Sequence, residues 1–126
     1  CGNPVSLTAG LTTLKLLEDG KIINRLNQMG DRVRAELREI FEAADIDVQV
    51  TGISSLFHTH FTKSEVKNVR DVMNANRRML LDYHMHLVEN GIFFLPTKTG
   101  GLCAAHSEED LEKLFREAEN YTRKVK

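Results

Sequence analysis

The chain has 126 residues, 41% of them hydrophobic and 28% charged, a size and balance that fit one globular domain with a modest core. Its 17 basic and 18 acidic residues leave a formal net charge of −1, which argues against a nucleic-acid or anionic-membrane partner, since both require a basic surplus. No apolar run approaches the roughly 20 residues of a membrane span, and Cys1 and Cys103 are too far apart to suggest a disulfide framework, so a reducing cytoplasm is expected.

The opening stretch, CGNPVSLTAG, is a helix start. Asn3 is a good N-cap, and Pro4 suits the first helical position because its missing N–H would be unpaired there anyway. A first helix is predicted from Pro4 to about Asp19, with Leu7, Leu11 and Leu14 on one stripe and Gly20 as the break. A helix start with nothing before it to hold the entering chain reads as a piece of a longer protein. A second helix, Lys21 to about Ala44, carries Ile22, Leu26, Met29, Val33, Leu37, Ile40 and Ala44 at three- and four-residue steps.

Two alternating stretches follow. Residues 47–51 put Val48 and Val50 on one face, and residues 55–62 set Phe57, Thr59 and Phe61 opposite Leu56, His58 and His60. Residues 63–68 read as an exposed loop. A third helix is predicted from about Val69 to Glu89, with Val72, Asn76, Met79, Tyr83 and Leu87 in register, ending at Asn90-Gly91. The apolar run 92–96 reads as a short strand, TKTGG as a turn, and residues 101–106 as the return strand.

The last helix opens at Ser107, with Asp110 completing a capping box and Glu108 and Glu109 at the positive end of the helix dipole. Its seam is Leu111, Leu114, Phe115, Ala118, Tyr121 and Val125, and Arg123, Lys124 and Lys126 stand at its negative end. The order ααββαββα, without repeats or an internal linker, predicts an α+β fold, a small, mainly antiparallel sheet covered by helices, in a single domain spanning residues 1–126.

Few residues suggest chemistry. His58 and His60, two apart on a strand, point to one side and could grip a metal ion, but no spacing fixes a third ligand among His84, His86, Cys103 and His106. The plainer expectation places both histidines on the wetter face of a half-exposed strand. His84 falls beside Leu80 and Leu87 at the core edge, and His86 falls off that seam. The run PTKTGG offers donors to an anion through Lys98 and its threonines, yet it leads into apolar Leu102 and not into a helix, so it reads as a turn. Cys103, between Leu102 and Ala104, is expected to be a buried, inert thiol. No catalytic residue and no metal site is expected.

Three stretches carry a resemblance. CGNPVSLTAGLTTLKLLED, GISSLFHTHFT and ENGIFFLP followed by AAHSEEDLEKLF, in this order and spacing, resemble the class III, pyridoxal-phosphate-dependent aminotransferases over essentially all 126 residues, and among them an aminomutase. The resemblance implies the C-terminal small domain of a fold-type I enzyme, a cytosolic homodimer with its active sites at the subunit boundary. Such an aminomutase exchanges amino groups within one molecule and yields 5-aminolevulinate for tetrapyrrole synthesis. Its Schiff-base lysine and most phosphate donors lie in a large cofactor domain, upstream of residue 1.

No lysine here stands in a matching motif, so this chain alone is expected to be inactive and to hold no cofactor. Gly2 and Asn3 would follow closely after residues that reach the partner subunit's cofactor phosphate. They are the cofactor-site candidates, with helix capping as their other reading. In the aminomutase pattern the stretch corresponding to Thr97–Ala105 is longer and contains an aromatic-acidic pair near the substrate. Here it has no acid, which keeps another class III aminotransferase open. A free-standing, non-catalytic α+β module that dimerises or binds a small ligand, and a metal-binding domain built on His58 and His60, are the remaining alternatives.

Overall fold

In the computed structural model, which describes residues 2–125, several helix boundaries follow from local capping devices. Helix α1 (Pro4–Leu17) starts where the Asn3 side chain accepts the Val5 N–H at 2.9 Å. Gly20, at a φ of +71°, turns the chain into α2 (Lys21–Ala43). That helix ends in a Schellman arrangement: Asp45 takes the left-handed conformation, and the Ile46 N–H reaches back to the Phe41 carbonyl at 2.9 Å. Cys1 and Lys126, assigned places at the two ends of the chain, lie outside the described residues.

Strands β1 (Gln49–Thr51) and β2 (Leu56–His60) pair antiparallel, with Val50 opposite Thr59. The predicted third helix is in fact two, α3 (Val69–Met73) and α4 (Arg77–Glu89). Asn76 breaks it: its side chain caps α4 by accepting the Met79 N–H, while its own N–H is donated to the Phe61 carbonyl at the end of β2. Helix α4 ends, as the sequence implies, at Asn90 and a left-handed Gly91.

Residues 92–96 form no strand. Phe94 is buried against Phe57, Phe93 is 88% exposed, and the turn that follows puts Thr97 at a φ of +63°. The third strand, β3 (Gly100–Gly101), pairs with β2 in place of residues 92–96, giving the order β1-β2-β3. Glycine is required there, because a Cβ on Gly100 would lie 2.5 Å from the Phe94 ring and 2.6 Å from the Phe57 ring. Helix α5 (Glu108–Val125) then begins in the predicted box: the Ser107 N–H is donated to the Asp110 carboxylate at 2.7 Å, and the Asp110 N–H to the Ser107 hydroxyl.

The core gathers the seams of α2, α4 and α5 over the sheet. Val33, Leu37 and Phe41 meet Leu87, Leu111 and Ala118, and Phe41, Phe61, Tyr83 and Tyr121 form an edge-packed aromatic cluster. Each fully buried aliphatic or aromatic side chain contributes about 1.5–3 kcal/mol of transfer free energy. Arg32 adds a polar strap between α2 and α5, pairing with Glu108 and Glu112 and lying over the Phe115 ring. Helix α1 stands apart: none of its residues is buried, and Val5, Leu7, Leu11, Leu14 and Leu16 are all more than half exposed.

Candidate functional site

Gly2 and Asn3, the cofactor-site candidates, lie exposed at the foot of α1. Asn3 spends its side-chain oxygen on the helix cap, and nothing stands within 4 Å of where a Gly2 Cβ would be. Thr8, Thr12 and Thr13 turn their hydroxyls back onto carbonyls of the preceding turn. The corner is therefore an open helix start carrying an uncharged apolar face, with Lys15 its first charge.

The histidines lie deeper than the alternation suggested. His60 is buried, at 3% exposure, and its Nε2 bonds the Thr51 hydroxyl at 2.9 Å. The wetter face expected for the pair is a covered one, because α3 and the start of α4 close over it. Together with His58 and His60, residues such as Val72, Met73, Asn76 and Leu80 line a cavity of about 190 Å³. The His58 and His60 rings are 4.4 Å apart. Burial pushes the His60 imidazole down to about 4, with the neighbouring His58 adding to the effect, and burial lowers His58 as well. Among the described residues no three His, Cys, Asp or Glu side chains gather to hold a metal ion.

His84 is buried, as a core-edge histidine should be; its Nδ1 accepts the Thr97 N–H at 2.8 Å. His86, placed off the seam by the sequence, is buried between α4 and α5 instead. Its Nε2 lies 3.1 Å from the Glu117 carbonyl and 3.5 Å from the Glu117 carboxylate. The expected buried thiol is overturned too: Cys103 is exposed and outside any strand, and its N–H is donated to His106 Nδ1 at 2.9 Å.

A groove of about 500 Å³ runs between the 92–102 segment and the start of α5, floored by Phe57, Phe94 and Leu111 and edged by His106 and Lys113. The turn at residues 97–101 is the one read from the sequence, whereas the groove beside it has no motif there. Phe57 and Phe94, packed edge to face with ring centres 5.7 Å apart, form part of the groove's floor. Lys98, the anion-site candidate, is exposed on that turn.

A lysine that forms an imine with pyridoxal phosphate needs a desolvated pocket to lower its pKa and phosphate donors nearby. Among the described residues no lysine is buried, and the half-buried Lys113 donates a hydrogen bond to the Gly91 carbonyl at 3.3 Å. These residues do not make a seat for the cofactor.

No family model matches the chain. It is 38% identical over 120 residues to glutamate-1-semialdehyde 2,1-aminomutase of Methanothermobacter thermautotrophicus, a match covering 94% of this chain and 28% of that protein. It is 36% identical to the protein of the same name from Methanosarcina acetivorans, covering 89% of this chain and 27% of that one. Among solved structures, an omega-transaminase from Sphaerobacter thermophilus superposes with a TM-score of 0.80 at 27% identity, over 97% of this chain and 28% of that one. A glutamate-1-semialdehyde aminomutase from Pseudomonas aeruginosa, in complex with PMP, shares the fold with a TM-score of 0.76 at 20% identity, over 83% of this chain and 24% of that one. The chain thus spans little more than a quarter of the length of the curated relatives it matches. Over that length its sequence is similar to the C-terminal part of glutamate-1-semialdehyde 2,1-aminomutases, and its helices and small antiparallel sheet have the fold of class III pyridoxal-phosphate transaminases, matching a fold-type I C-terminal domain.

Proposed function

We propose that this chain is the C-terminal small domain of a pyridoxal-phosphate-dependent glutamate-1-semialdehyde 2,1-aminomutase, an isomerase that makes 5-aminolevulinate for tetrapyrrole synthesis. The observation that carries the reading is the 38% identity, over 94% of the chain, to a protein of that name. The parent enzyme is a cytoplasmic homodimer whose large domain supplies the cofactor lysine. No helix among the described residues is long and apolar enough to cross a membrane. When bound to the parent, the cofactor supplies the electron sink for amino-group exchange. The residues of this chain contribute shape: Asn3 starts α1, and Gly2 and Asn3 stand beside the segment that approaches the phosphate. The acid-free stretch from Thr97 to Ala105 favours, as a second reading, another class III aminotransferase with the same architecture.

Titrating the purified chain with pyridoxal phosphate, followed by borohydride reduction and peptide mapping, tests the assignment of the cofactor lysine. Scattered, non-saturable labelling of exposed lysines is expected. One stoichiometric adduct, at Lys98 for example, would show that this domain has its own cofactor site.

The uncovered face of α1 is assigned to the large domain and the dimer contact. A contiguous apolar helix face left open to water favours burial against a partner. The purified chain is therefore expected to self-associate in concentrated solution, and Leu11→Glu, at a position 54% exposed, to return it to monomer without lowering its melting temperature. Sedimentation equilibrium distinguishes the two; a wild-type chain that stays monomeric contradicts the assignment.

A further inference from the structure

His84 is a buried titratable group that the proposed function does not use, and it touches both ends of one loop. Its ring lies 4.3 Å from that of Phe94, tilted by 39°, and its Nδ1 accepts the Thr97 N–H at 2.8 Å. A ring nitrogen that accepts an N–H carries a lone pair, so the proton of this imidazole sits on Nε2. Thr97 is a β-branched residue at a φ of +63°, a conformation such residues avoid unless something holds them. Two bonds close the turn: the one to His84, and the Lys98 N–H donated to the Leu95 carbonyl at 3.0 Å. Directly after it the chain lies against β2 as Gly100 and Gly101, and Leu95, Thr99 and these two glycines line one side of the 500 Å³ groove.

We propose that His84 is a positioning residue for this groove: its Nδ1 lone pair holds Thr97 in the left-handed turn, its ring seats Phe94, and together they set Gly100 and Gly101 on the edge of β2. The role belongs to this chain's own loop, and it stands whichever aminotransferase the parent is. Burial lowers the His84 imidazole, and the titratable His58 on β2 adds to the effect. Tyr83, beside His84 on α4, has its ring 5.7 Å away, and Arg77, Thr97 and His60 line the adjoining cavity.

Asparagine places its side-chain oxygen where histidine has Nδ1, and leucine has nearly the same bulk with no acceptor. Amide hydrogen exchange of the 126-residue chain at pH 7 is expected to show Thr97 about tenfold less protected in His84→Leu than in wild type, the loss of one buried acceptor. His84→Asn is expected to restore most of that protection, although both variants lose the ring. Core amides such as that of Leu37 report global opening and should move equally in the two variants. On the wild-type protein, ring ¹⁵N shifts should show an unprotonated Nδ1 on His84. Equal Thr97 protection in wild type and His84→Leu overturns the proposal, as does a failure of Asn to exceed Leu. Should His84→Leu not fold, a protonated Nδ1 in the wild-type ring overturns it alone.

Discussion

Gly30→Ala is expected to destabilise the chain by roughly 3 kcal/mol or more, although alanine is the better helix former. Gly30 lies in the middle of α2, and a Cβ built on it would stand 1.7 Å from the Ser54 carbonyl oxygen and 2.8 Å from its carbon. Those are backbone atoms of the β1–β2 connection, which cannot swing aside as a long side chain would. Arg34 clamps the connection at this point, donating to the Ser54 carbonyl at 2.8 Å and the Leu56 carbonyl at 2.7 Å. Relief would require lifting the connection off α2 and losing these charge-assisted bonds, against a propensity gain of only about 1 kcal/mol. Gly10→Ala, in α1, is the control: nothing lies within 4 Å of its Cβ position, so the same exchange should stabilise by about 0.5–1 kcal/mol. Urea unfolding of both variants measures the contrast. Equal midpoints would mean that α2 and the Ser54 carbonyl do not meet.

Gly30 also shows where sequence reading stops. The seams of α2 and α5 are legible because Val33, Leu37 and Phe41, or Leu111, Phe115 and Ala118, repeat at the helical period and bury one face only. Caps are legible because Asn3, Gly91 and Ser107 act within a few residues of themselves. The glycine inside α2 gives no such sign, since its partner arrives from a distant loop. The break at Asn76 is equally silent: neither proline nor glycine marks it, and the Asn76 N–H is taken by the Phe61 carbonyl, a tertiary event. Residues 92–96 have the composition of a strand, but Phe94 packs on Phe57 and leaves the β2 edge to two glycines, which composition assigns to a turn. The burial of His60 depends on α3 covering β2, which strand alternation cannot report. As for the candidate site, Gly2 and Asn3 are readable as a cap from spacing, whereas any role at a cofactor rests on the family resemblance.

Lowering the pH from 7 to 5 is expected to cost the folded chain roughly 3–4 kcal/mol, through two histidines that fold in the neutral state. Burial holds His60 and His84 at about 4, with His58 as the second cause for both. In the unfolded chain each returns to about 6.5. The folded value lies below the unfolded one, so at lower pH the unfolded state binds the extra protons. The contribution is whole above pH 6.5 and drains away as the pH falls from there towards 4.

At pH 5 each group accounts for about 2 kcal/mol, and the shared neighbour His58 makes the sum somewhat less than additive. Carboxylates do not mimic this window. Asp19, lowered by its bonds with Lys21, and Asp110, lowered by its bonds with Ser107, lose their contributions only as the pH falls below the ordinary carboxylate value of 3.8. Urea unfolding at half-unit steps from pH 7.5 to 5 should therefore show a slope approaching two protons per molecule near pH 5.5. His60→Asn and His84→Asn should each remove about one. A profile flat to pH 5 would mean that the imidazoles protonate as readily in the folded chain as in the unfolded one. In that case the cover of α3 over β2 opens to water at neutral pH, and the bond between Nδ1 of His84 and Thr97 is not maintained.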